Sequence, residues 1–108
     1  MTFAVEMSHR AKQNLADITT WILDRSAIGA SRWLQAFEKA IERLAVSPLS
    51  FSVADEAPDF SEPIRQIFFH TPKGRNYRIV FRVDGSSVIV LSIRGSGQAP
   101  IRPRDLSD

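Results

Sequence analysis

Residues 77–98, YRIVFRVDGSSVIVLSIRGSGQ, carry the strongest strand signal in the chain, and their register decides how the rest is read. Two runs of β-branched and aromatic residues, Tyr77 to Val83 and Val88 to Ile93, flank Asp84-Gly85, as in an antiparallel pair. Arg78, Arg82 and Arg94 lie inside or directly after these runs. Burying an isolated guanidinium costs far more than leaving it in water, so all three should point away from the main core. A two-residue Asp84-Gly85 turn pairs Phe81 with Val88 and mixes Arg78 and Arg82 with Ile89, Leu91 and Ile93. One extra residue, in an odd-length loop or a bulge, pairs Phe81 with Ile89, Ile79 with Leu91 and Tyr77 with Ile93. Tyr77, Ile79, Phe81, Ile89, Leu91 and Ile93 then form one apolar face. Arg78, Val80, Arg82, Val88, Val90, Ser92 and Arg94 form the other. A one-residue slip inverts every facing, so this segregation favours the extra residue. The arginine face, with valines among its cations, reads as a binding face. A solvated face, with arginine stems lying over the valines, is the competing reading.

The 108 residues predict one domain over 1–108 with one core, and 44% hydrophobic composition supplies the material for it. There is no cysteine, so disulfides and thiolate chemistry do not enter. His9 and His70 lack metal-ligand spacing, and neither metal nor cofactor is expected. The opening MTFAVEMSHR lacks the pattern of a signal peptide, and no apolar run approaches about 20 residues. A cytoplasmic protein without a membrane partner is the expectation. Charge is unevenly spread: residues 1–63 hold six basic and nine acidic residues, and residues 64–108 hold eight and three. The second half can therefore present a basic surface to phosphates or an acidic partner.

Phe3, Val5 and Met7 alternate with polar or small residues and predict a first strand. Ser8 supplies a cap for a helix whose stripe is Ala11, Leu15, Ile18 and Ile22, widened by Trp21. Asp24 to Gly29 reads as the connection, with Gly29 supplying conformational freedom. The second helix is expected over about Ala30 to Ala45, with Ala30, Leu34, Phe37, Ile41 and Leu44 inward. Arg32, Gln35, Glu38, Lys39, Glu42 and Arg43 make a mixed polar side, and Pro48 marks the exit. Residues 49–62 read as a loop. Ile64 to Phe69 predicts a strand, and His70 to Asn76 a turn favoured by Pro72 and Gly74. A flexible tail from about residue 96 closes the chain. The fold class is α+β: an N-terminal strand, an antiparallel helical hairpin, then a three-strand antiparallel meander forming a small sheet, βααβββ.

These blocks resemble the RelE/ParE superfamily of toxins from type II toxin–antitoxin systems. The opening strand with MSHRAKQNLADITTWI is similar to the family's first strand and helix. SRWLQAFEKAIERLAVSP is similar to its second helix, and YRIVFRVDGSSVIVLSIRGSGQ to its final strand pair. The resemblance implies a cognate antitoxin that wraps the toxin into a hetero-oligomer, and one of two targets. ParE-like members poison DNA gyrase, whereas RelE-like members cleave ribosome-bound mRNA without a metal. For the second activity the resemblance implies Arg94, Arg78, Lys73 and His70 as the working set. The ending IRGSGQAPIRPRD lacks the late tyrosine or histidine of the nuclease pattern and resembles the ParE-like side more closely. Gyrase inhibition is therefore the expected function, with Arg65, Lys73, Arg75, Arg78, Arg82 and Arg94 as target contacts. The antitoxin is expected on Arg78, Val80, Arg82, Val88, Val90 and Arg94. An inactive homologue that still binds antitoxin is a further alternative.

Overall fold

The computed structural model describes residues 2–72, 74–95, 98 and 101–106. Strand β1 (Ala4–Met7) leads into helix α1 (His9–Leu23), which pairs with helix α2 (Ala27–Val46). Strands β2 (Arg65–Phe69), β3 (Tyr77–Asp84) and β4 (Ser87–Gly95) follow, giving the expected βααβββ order. The sheet runs β1-β4-β3-β2, with β1 parallel to β4 and the other pairs antiparallel. The helical hairpin crosses from one strand to the meander, which lets β1 dock beside the last strand.

Capping residues explain where the helices begin. Ser8 Oγ accepts the Ala11 N–H at 3.1 Å and donates to the Leu91 carbonyl at 3.2 Å, tying the start of α1 to β4. Ser26 Oγ accepts the Gly29 N–H at 2.9 Å, so α2 begins at Ala27 rather than at Ala30. The connection is therefore shorter than Asp24 to Gly29, and Gly29 lies in a helical turn. A Cβ there would stand 3.1 Å from Ser26 Oγ, so the close approach of the cap favours glycine.

The hairpin register differs from both sequence alternatives. Asp84 pairs with Ser87, Val83 with Val88, Arg82 with Ile89 and Phe81 with Val90. Gly85, at φ 59°, takes the left-handed conformation in the tight turn. The extra residue is present, but as a bulge: beyond Phe81/Val90 the pairs are Val80/Ser92 and Ile79/Ile93, leaving Leu91 over. Tyr77, Ile79, Phe81 and Ile93 face the helices as expected. Val88 and Val90 join them, and Ile89 and Leu91 do not, because the slip occurs in mid-strand rather than at the loop.

The main core lies between the sheet and the helices. Trp33 stacks on Phe37 with ring centroids 5.6 Å apart and meets Phe69 and Tyr77 at 5.5 and 5.4 Å. Asn14 of α1 reaches the sheet, where its Oδ1 accepts from Ser92 Oγ and from the Ile93 N–H, each at 3.1 Å. A second, smaller cluster sits on the opposite face: Ala54, Ile64, Val80 and Ile101, with Ala57, Phe60 and Leu91 against it. Residues 52–60 thus fold back over the sheet. Ile101, in the segment read as a flexible tail, is fully buried there, and Pro103–Leu106 form a 3-10 turn.

Candidate functional site

The ladder between β3 and β4 sets Arg78 directly across from Arg94, with Arg82 four residues along the same strand. Like charges opposed across a ladder repel, so the pair needs an anion nearby. Glu56, in the loop of weakest sequence pattern, supplies it. Arg78 Nη1 donates to Glu56 Oε1 at 2.8 Å and to Gln66 Oε1 at 3.0 Å, and Nη2 donates to Glu56 Oε2. The side chains are 16% and 4% exposed, so this is a largely buried ion pair. The Ile101 N–H donates to the same Oε2 at 3.1 Å. Burial alone would raise the Glu56 pKa. The Arg78 hydrogen bonds, the Ile101 amide and the Arg78 charge outweigh it and hold the carboxyl below its ordinary value.

The arginine face is therefore covered mainly by the chain itself, which corrects the expected antitoxin surface. Val80 is fully buried under residues 54–64 and Ile101, and Val88 and Val90 are fully buried on the opposite, helix-facing side. None of the three can offer apolar contact to a partner in this conformation. Arg78 clamps the covering loop to the sheet. Arg65 does likewise, donating from Nη1 to the Phe51 carbonyl at 2.8 Å. Arg82 stays partly open, with Glu62 and Asp84 each at 3.5 Å, and such exposed pairs contribute little stability. Arg94 is half-buried beside Arg78.

The other sequence candidates lie apart. His70 is exposed just beyond β2, its Nδ1 3.2 Å from the Thr71 carbonyl. Lys73 falls outside the described residues. Arg75 stands 5.9 Å from the ring of Trp21, and Arg25 stacks over the same ring at 3.7 Å. Trp21, 48% exposed, borders a 320 Å³ cleft with Ile18, Arg75, Tyr77 and Gln98. Arg65, Arg75, Arg78, Arg82 and Arg94 therefore do not converge on one open site.

A larger cleft, of 520 Å³, escaped the sequence reading. It lies between α2 and the end of β2, lined by Arg32, Gln35, Lys39 and Arg43 with Phe68 and His70. The sequence read this side of α2 as mixed. The structure sorts it, because Glu38 and Glu42 line a separate groove with Val5, Met7, Phe37 and Ile41. A helical-wheel separation of the basic and acidic positions is the signal that could have found it. Among the described residues, no cluster of three metal-ligating side chains occurs, and no helix is long and apolar enough to cross a membrane.

Comparisons with known proteins bear on this architecture. A family model described as the ParE toxin of type II toxin–antitoxin system, parDE, matches residues 5–100. The fold is similar to the toxin–antitoxin complex RelBE2 from Mycobacterium tuberculosis, at 19% identity and a TM-score of 0.51, covering 88% of this chain and 99% of that one. It is also similar to a mutant of the E. coli toxin RelE in the free state, at 16% identity and a TM-score of 0.55, covering 90% and 86%. At such identities the likeness is one of fold. No curated protein matches the chain significantly.

Proposed function

Because the chain belongs to the ParE toxin family of type II toxin–antitoxin systems, we propose that it acts by binding DNA gyrase and is neutralised by a cognate antitoxin. One observation carries the choice of binding over bond cleavage: Arg78, at the centre of the basic face, is already engaged by Glu56 and Gln66. RNA cleavage needs cations free to meet phosphate oxygens, and groups that take a proton from the ribose and return one to the leaving oxygen. A buried carboxylate aimed at Arg78 opposes phosphate binding there. Tyr77 packs in the aromatic cluster on the other face, and His70 lies beyond the end of β2. A protein-binding toxin requires no such acid–base pair. The antitoxin follows from the family and from the RelBE2 structure, which is that of a toxin–antitoxin complex.

The deciding experiment incubates purified toxin with gyrase and, separately, with translating ribosomes. Inhibited supercoiling or trapped cleavage complexes, with mRNA left intact, is the expected result. Direct cutting of ribosome-bound mRNA would overturn it. That outcome is the second reading, a ribosome-dependent mRNA endonuclease, and the fold likeness to RelE keeps it in view. It requires Arg78 to leave Glu56 for a phosphate, so Glu56→Gln should then raise cleavage and Arg94→Ala should lower it. Growth arrest relieved by antitoxin co-expression separates both readings from an inactive homologue.

A further inference from the structure

The row of cations on α2 has no anion of the chain set against it. Arg32, Lys39 and Arg43 are exposed, and among the described residues none forms an ion pair. Arg43 stands 5.1 Å from the ring of Phe51, an aromatic neighbour that leaves its charge uncompensated. With Gln35 these cations line the 520 Å³ cleft, whose far wall is residues 68–72, and among the described residues no carboxylate borders it. Glu38 and Glu42 lie in the separate groove with Val5 and Met7. Lys39/Arg43 and Glu38/Glu42 are both like-charge pairs at i, i+4, and both weaken the helix. The segregation therefore costs stability, and what it produces is a cleft of one sign that concentrates anions.

The length and make-up of the row narrow the anion it fits. Helical rise places Lys39 about 10 Å from Arg32 along the axis and Arg43 about 6 Å further on. Such a row suits a polyanion better than one small anion. Each strand of duplex DNA carries a phosphate about every 3.4 Å of its axis, so a row of about 16 Å runs beside about five phosphates of one strand. Ala36 and Ala40 line the cleft between the cations, and their short side chains let a sugar–phosphate backbone come close to the helix. Protein interfaces are centred on large apolar or aromatic side chains, and single strands are held by aromatic faces on which bases stack. The helix row offers neither.

We propose that the basic cleft on α2 binds the phosphate backbone of duplex DNA, and that through it the chain engages the duplex that gyrase holds. Arg32, Lys39 and Arg43 each meet a phosphate of one strand, and Gln35 adds a neutral donor between them. No base edge is read, so binding is independent of sequence. The second half of the proposal rests on the gyrase reading. It gives the chain a contact with the enzyme's DNA as well as with the enzyme, so the gyrase–DNA complex binds it more tightly than gyrase alone.

The probe is a short labelled DNA duplex titrated with the full chain and followed by fluorescence anisotropy. Three phosphate contacts give log K against log salt a slope of about −2.7, so affinity should fall about 40-fold between about 50 and 200 mM salt. Lys39→Gln combined with Arg43→Gln should flatten the slope to about −0.9 and weaken binding at least about tenfold at about 100 mM. Glutamine matches Lys and Arg in helix propensity, so the double variant keeps its fold, which circular dichroism checks. Lys12→Gln removes the same charge from the exposed side of α1 and should change affinity less than about twofold. Absence of duplex binding at about 50 mM salt, an unchanged slope in the double variant, or an equal loss in Lys12→Gln would each overturn the proposal. So would tighter binding of the matching single strand or of polyglutamate. Supercoiling assays run in parallel separate the two readings. Inhibition of gyrase by the double variant at the parent's potency overturns the DNA contact and leaves the gyrase reading standing. Row-dependent duplex binding by a chain that leaves gyrase active overturns the gyrase reading, and the second half of the proposal with it, while the duplex site stands.

Discussion

Glu56→Ala removes the carboxylate that holds Arg78 and leaves the guanidinium largely buried against Gln66 alone. Deleting one partner of a buried ion pair costs about 3–5 kcal/mol, chiefly because the remaining charge is stranded. Arg78 keeps its 3.0 Å bond to Gln66 and some access to water, which sets the expectation at the lower end, about 3 kcal/mol. For a chain of this size each kcal/mol lowers Tm by about 4–8 °C, so the midpoint should fall by more than about 10 °C. Urea unfolding followed by circular dichroism gives the free energy, and thermal scans give the midpoint. Replacing both partners, Glu56→Leu with Arg78→Met, should recover much of the loss, because no buried charge remains. Acid supplies a second arm. The Glu56 carboxyl titrates below its ordinary value of 4.5, so the folded chain holds its proton more weakly than the unfolded chain. The contribution is present above the unfolded value and is lost as pH falls through the folded one. The parent should thus lose stability more steeply below about pH 4.5 than Glu56→Gln does. A Glu56→Ala protein within about 0.5 kcal/mol of the parent would refute the clamp. So would identical acid profiles for the parent and Glu56→Gln.

Three further substitutions probe other parts of the fold. Trp33→Ala removes the centre of the aromatic cluster and should cost about 3–5 kcal/mol in urea unfolding, whatever its effect on binding. Asn14→Ala leaves the buried Ser92 hydroxyl and the Ile93 N–H without their acceptor; about 1–3 kcal/mol should be lost, and hydrogen exchange at Ile93 should accelerate. Gly85→Ala meets no atom within 4 Å, so its cost of about 1–2 kcal/mol is purely that of a left-handed backbone, and Gly85→Asn should cost less.

The candidate site was less legible than the fold. Arg78, Arg82 and Arg94 could be assigned to one face because charge avoids the core, and they do share it. What covers that face could not be read. Residues 52–62 show neither helical nor strand periodicity, so nothing local announces that Glu56 will be 5% exposed or that Ala54 and Ile64 will pack on Val80. A surplus of apolar residues on both sides of β3 was the available hint, since Val80 had no place in the helix-facing core. The cleft on α2 was missed for a related reason. Arg32, Lys39 and Arg43 look like ordinary solvation until the neighbouring strand edge gives them a common boundary.

By itself, the sequence determined the order of the elements and the inner face of β3. Period-two and period-3.6 apolar patterns are local, as are Ser8 as a cap and Gly85 as a turn former, and each imposes its conformation without distant help. The tertiary structure decided the rest. Whether an extra residue is absorbed in the loop or in a bulge at Leu91 depends on which valines the helices can cover, a balance struck across the whole sheet. Only the folded chain brings Glu56 to Arg78, 22 residues away, and Ile101 to Glu56, 45 residues away. Partners that far apart leave no periodic trace in sequence, because the strength of their contact depends on exclusion of water, and that exists only once both faces of the sheet are packed.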